Sequence, residues 1–207
     1  MYLIDEANFT REISIPNITS SQSGNAEKLN LYADEKPRLL LQMCLGNVLF
    51  AQLDSQVTSG VLIPLADQKW KDLVNGKVYG DKVWKGLNYQ EGSFKVSLLA
   101  YYTYWHWIND SYSINFQIQA KNAENINPTS NMVDVWNKFL EMYQGTNVYI
   151  APRVSTLNGA TFVDYFSNTN NSNYVSLIQF LKDNPIDYPS PQLYCFESLS
   201  NSNSLGL

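Results

Sequence analysis

The strongest helical periodicity in the chain lies between Asn127 and Gly145, where Met132, Trp136, Phe139, Leu140 and Tyr143 recur at i, i+3, i+4 and i+7. Asn127 and Pro128 form a cap and first-turn pair at its start, and Gly145 ends it. Upstream, a helix is expected from Asp34, with Asp34 as cap, Glu35 at the positive end of the dipole and Pro37 in the first turn. Leu39, Leu40, Leu41, Met43, Cys44, Leu45, Val48, Leu49, Phe50 and Leu53 then point to nearly every side. A helix apolar all round is central, or lies between subunits.

The pattern predicts shorter elements between and beyond these. Pro64 opens a helix through Trp70, Leu73 and Val74 with Gly76 as its stop. "KVYGDKVWKGL" reads as a small hairpin turning at Tyr79-Gly80-Asp81. An aromatic helix follows, from about Gly92 to Asp110. On it Phe94, Leu98, Tyr101, Tyr102, Trp105 and Ile108 share one broad face, while Tyr104 and Trp107 form a second face that needs another partner. Ser113 to Lys121 alternates Ile114, Phe116 and Ile118 against polar residues, a strand pattern. Residues 146–170 mix short extended pieces with an Asn-rich loop, and a last helix from about Asn173 to Lys182 ends before "DNPIDYPSP".

The two ends read differently. The first thirty residues hold one short alternating piece around Ile13 and Ile15, then Pro16 and a Ser/Asn/Gly cluster, the pattern of an extended arm. The tail "LYCFESLSNSNSLGL" is too polar at its end to be core, so it is free or tied to a partner. The expected architecture is mainly α: a helical bundle of about five helices with a small β element. It forms a single domain with residues 1–30 as N-terminal arm, 31–185 as helical core and 186–207 as C-terminal tail.

Composition narrows the function classes. A net charge of -5 argues against gripping nucleic acid through neutralised phosphates, which requires clustered Lys and Arg. Cys44 and Cys195 stand far apart in dissimilar surroundings, favouring two free thiols over a disulfide and matching no metal spacing. The opening "MYLIDEANFT" has no charged leader before a small-residue cleavage site, so no signal peptide is expected. The longest apolar run, Leu98 to Ile108, is well short of the roughly 20 residues that span a bilayer.

Candidate chemistry centres on His106, the chain's one histidine, in a stretch where five of the seven residues from Tyr101 to Trp107 are aromatic. A catalytic imidazole needs a nucleophile, an orienting acid or metal co-ligands, and the chain has no G-x-S-x-G, H-E-x-x-H or Gly-rich phosphate loop. His106 is therefore read as a side chain on a helix flank. The pairs Asp5/Glu6 and Asp34/Glu35 could be imagined as a glycosidase acid and base, but sequence neighbours are more simply caps or solvated charge. The aromatics could stack on sugars in a carbohydrate- or receptor-binding module; their helical spacing favours packing in a core or an interface. No catalytic, cofactor or metal site is expected. Tyr101, Trp105 and Trp136 are expected in the core, and Tyr104, Trp107, Ile13, Ile15, Tyr194 and Phe196 at interfaces with other chains.

Two segments read together resemble a known block. Ala100, Tyr101, Tyr102, Tyr104 and Trp107, then Lys121, Ala123, Glu124 and Asn125, then Trp136 and Asn137, resemble the central block of head-to-tail connector (adaptor, ring) proteins of tailed bacteriophages, particularly the crAss-like phages. "LIQFLKDNPIDYP" is similar to that family's terminal helix and its exit. Together they cover roughly a third of the chain. The chain departs from the pattern in "NDSYSINFQIQAK", which lacks the glycine of the family's turn. The resemblance implies a structural virion protein made in the host bacterial cytoplasm and placed at the capsid-tail junction. Its partners would be further copies in a ring, commonly a dodecamer, with the portal above and tail or connector rings below. Double-stranded DNA would pass transiently through the channel, and an acidic lining would let it slide.

Overall fold

The computed structural model describes residues 1–15, 24–115, 128–145, 173–197 and 199. Its longest helix, α1 (Gly24–Leu45), starts well before Asp34 and carries Pro37 in its interior, not in its first turn. A proline there removes one intrahelical hydrogen bond and frees the carbonyl four residues earlier. That carbonyl, on Ala33, accepts instead from the backbone N–H of Tyr2 at 2.8 Å. The residue that interrupts the helical ladder thereby pins the N-terminus to it.

Residues 1–15 are consequently part of the folded body, which corrects the expectation of an extended arm. Two short 3₁₀ turns, Glu6–Asn8 and Arg11–Ile13, replace the expected alternating piece, and the Asp5 and Asn8 side chains cap the first turn reciprocally. Tyr2, Ile4, Phe9, Ile13 and Ile15 are buried in the chain's own core. Leu3 N–H donates to the Gly60 carbonyl at 2.8 Å. Gly60 has φ +77°, and a Cβ on it would stand 1.9 Å from the Met1 carbonyl oxygen, so only glycine lets this turn approach.

The apolar run expected as one helix to Leu53 is two. Gly46, at φ +80°, ends α1 and precedes α2 (Asn47–Asp54). A first hairpin pairs β1 (Val57–Thr58) with β2 (Val61–Leu62). Pro64 lies in the following turn, and α3 (Gln68–Asn75) starts later than expected, after Asp67, ending as expected at Gly76. The predicted hairpin is present, with β3 (Lys77–Tyr79) antiparallel to β4 (Lys82–Trp84). The region from Gly92 is corrected: β5 (Asn88–Glu91) turns there and pairs with β6 (Phe94–Ser97), so the aromatic helix α4 runs Leu98–Asn115. Ser113–Asn115 thus belong to a helix, not to the predicted strand, whose remainder from Phe116 lies outside the described residues. So do Lys121, Ala123, Glu124, Asn125, Asn127 and residues 146–170.

Helix α5 (Pro128–Gln144) has the predicted bounds. The last helix, α6 (Leu177–Asp183), is shorter than expected because residues 173–175 are extended: Val83 N–H donates to Asn173 O at 2.8 Å, and Val175 N–H to Val83 O at 3.0 Å. Ser176 caps it through Gln179 N–H. Among the described residues the fold is therefore mainly helical, with six α-helices and three two-stranded sheets instead of one small β element.

α4 packs against both α1 and α5, which is why it is apolar on more than one side. Past Tyr188 the described residues have no regular structure and meet α5 as far as Leu199, so the described part of the tail is strapped to its own helix.

Candidate functional site

The site that sequence reasoning placed on α4 is not at the surface. Tyr104 is only 5% exposed, and Ile13 and Ile15 are buried. Trp107 is half-buried, with its ring 5.9 Å from that of Tyr104. Phe196 is half-buried against Tyr102, Trp136, Phe139 and Tyr143. Only Tyr194, at 52%, is well exposed. Tyr104 therefore finds cover within its own chain, which corrects its assignment as an interface contact, whereas Trp107 stays half-buried. Tyr101 and Trp136 are buried as expected, whereas Trp105 is half-buried.

His106 packs edge-on to Tyr102 and Trp105, with ring centroids at 4.5 and 5.0 Å. Its Nε2 is buried without a hydrogen-bond partner among the described residues. Desolvation first, then the nearby Lys36 ammonium, push its pKa from the usual 6.5 down to about 4, against the opposing pull of Asp110 and Glu35. Neutral at physiological pH, it behaves as a packing group. Unfolded, the imidazole binds its proton near pH 6.5; folded, it does so only near 4. Stability contributed by the neutral form is thus present above pH 6.5 and lost as pH falls toward 4. Urea midpoints measured at pH 7.5, 6.0 and 5.0 should fall with pH, and His106→Gln should flatten the part of that decline above pH 5.

Among the described residues no group of three or more His, Cys, Asp or Glu could hold a metal ion. No described helix is long and apolar enough to cross a membrane. Both cysteines are free thiols, Cys44 buried and Cys195 exposed, and burial pushes the Cys44 thiol up to about 12.

Three of the exposed apolar side chains stand at two clefts, Val61 at one and Val48 with Ile186 at the other. The first, of about 510 Å³, lies between the N-terminal segment, the β1–β2 hairpin and β5. Val61, 67% exposed, and Pro64 stand at it, with Lys71, Val74 and Asn75 of α3 opposite. Asn8 and Asn88 are among its lining residues, and their Nδ2 and Oδ1 atoms are buried without hydrogen-bond partners among the described residues. The second cleft, of about 580 Å³, lies between the start of α2 and the turn after α6. It carries Val48, 73% exposed, and Ile186, 94% exposed, and Lys69 of α3.

Helix α3 separates the two. At about 100° per residue, Lys71, Val74 and Asn75 fall on the side opposite Lys69, while Trp70 and Leu73 face the core. The clefts are therefore two different surfaces on opposite flanks of one helix. Sequence reasoning missed both. Val48 was hidden in an apolar run, and the available signal for Ile186 was a lone aliphatic residue between prolines in "NPIDYP".

The chain matches no family model, no curated protein and no solved structure.

Proposed function

We propose that the chain is a non-enzymatic virion protein, the subunit of a head-to-tail connector ring that joins the portal of a tailed bacteriophage to its tail and lines the DNA exit channel. The observation that carries this reading is the pair of unlike apolar clefts on opposite flanks of α3. A two-fold dimer needs one self-complementary patch; a closed ring needs two different patches that fit each other. Exposed aliphatics such as Val48, Ile186 and Val61 are the groups such an interface would bury. The stack of α1, α4 and α5 would be the subunit's helical bundle. The net charge of -5, repeated around a ring, would repel phosphates and let DNA slide. The aromatic and "WN" segments that resemble connector proteins lie on α4 and α5 of that stack.

Light scattering coupled to size exclusion tests the reading. The purified chain should elute with a mass that is a multiple of 23.6 kDa. A single-chain mass at every concentration reached would contradict it.

A further inference from the structure

The strap that follows Tyr188 is held in a way that does not depend on its being attached where it is. Four side chains of α5 reach it. Trp136 Nε1 donates to Glu197 O at 2.9 Å, and the Tyr143 hydroxyl to Tyr194 O at 2.7 Å. Asn137 donates to Leu199 O at 3.2 Å and accepts from Leu199 N–H at 3.3 Å. Gln144 makes the same two-way pair with Phe196, donating at 2.9 Å and accepting at 3.0 Å.

These contacts repeat with a matched spacing. Trp136 and Tyr143, like Asn137 and Gln144, stand seven residues apart, about 10.5 Å along a helix. Their targets, Glu197 with Tyr194 and Leu199 with Phe196, stand three residues apart, about 10 Å along an extended chain. The α5 surface is thus a ruler for an extended backbone running antiparallel to the helix. The primary amides of Asn137 and Gln144 present one donor and one acceptor each, as the edge of a β-strand would. One side chain is read as well: the Phe196 ring sits against Trp136, Phe139 and Tyr143 at 5.5, 5.6 and 5.3 Å. The hydrogen bonds just named all go to main chain.

The connection that returns the strap to its own groove is sterically unfavourable. Between the buried anchor Tyr188 and the strap lies Pro189-Ser190-Pro191-Gln192-Leu193, in which Ser190 has φ +53° and Leu193 φ +49°. Non-glycine residues are uncommon in that region because Cβ crowds the carbonyl. This hinge also lines the cleft of Val48 and Ile186, with Pro189, Ser190 and Gln192 on its wall. A hinge strained by folding back, placed at a surface proposed to meet a neighbour, favours exchange of the segment.

We propose that the α5 groove is the receptor for residues Tyr194–Glu197 and Leu199 of a second copy of this chain, and that the folded-back strap is the form held by the unassembled subunit. In the exchanged form every groove contact is kept, while Leu193 gives up its N–H bond to Cys44 O at 3.0 Å and Ser190 and Leu193 are released to ordinary backbone conformations. The proposal rests on the chain being a self-associating subunit, and it identifies the segment that links neighbours.

The test uses full-length chains in a Cys195→Ser background. One carries Asn137→Cys, another Leu199→Cys, and a third carries both. The first two are mixed under assembling conditions, oxidised mildly and run on a non-reducing gel, with light scattering recorded beforehand. An inter-chain disulfide in the mixture, abolished when Phe196→Ala is added to the Leu199→Cys chain, is the expected result. If the doubly substituted chain closes only on itself while the mixture stays unlinked, the strap acts within one chain and the proposal is overturned. No link in either sample overturns it too, because the strap then does not occupy the groove. Light scattering separates the two readings: assembled but unlinked chains defeat strap exchange alone, whereas monomers defeat the ring reading as well.

Discussion

Trp84→Ala is expected to lower the unfolding free energy by about 3–5 kcal/mol, in the upper part of the range for core truncations. Trp84 is buried, with its ring stacked on Phe180 at 5.5 Å and 17°. Phe180 in turn meets Tyr79 and Tyr188, and Tyr188 meets Trp70, so one continuous aromatic layer joins β3, β4, α6 and α3. The indole N–H donates to Leu73 O at 2.9 Å at the end of α3. Truncation therefore opens a cavity and removes a buried hydrogen bond together. Trp84→Phe keeps much of the stacking but not the donor, and should cost less, about 1–3 kcal/mol. Urea titrations of both variants check the order; a Trp84→Ala loss below that of Trp84→Phe would show that the layer is not packed as described.

The second large effect concerns assembly. Val48→Glu and Val61→Glu each place a carboxylate on one of the two clefts, at positions 73% and 67% exposed, where the folded monomer should tolerate it. Buried in an apolar interface, the same carboxylate should weaken association at least about 100-fold, or about 2.7 kcal/mol. Each variant alone should run as a monomer. Mixed in equal amounts they should form a one-to-one pair, because each supplies the surface that the other has lost. A two-fold interface behaves otherwise: one substitution abolishes association, the other is silent, and mixing restores nothing. Native mass spectrometry distinguishes the patterns.

What was legible in the chain was what short-range rules govern. The bounds of α5 follow from Pro128 and Gly145, the end of α3 from Gly76, and the β3–β4 turn from Gly80-Asp81. The N-terminal segment was misread because its anchor is non-local: nothing near Tyr2 reveals that Pro37 will free the Ala33 carbonyl for it. The helix expected from Gly92 failed because Phe94, Val96 and Leu98 suit alternation and helical spacing alike, and Gly92 then serves as the turn of a hairpin. Helical spacing also could not say whether the second face of α4 meets its own chain or another. Burial answers it for Tyr104 against the sequence reading, while Trp107 stays half-buried. The strap left almost no hydrophobic signature, since Asn137 and Gln144 hold its backbone and Phe196 is its main apolar anchor.

Two unlike surfaces on one subunit should close head to tail into a ring. Negative-stain images of the purified assembly test it most directly. Class averages should show annular particles with cyclic symmetry and an open centre. Compact two-fold dimers, or a field of single subunits, would contradict it.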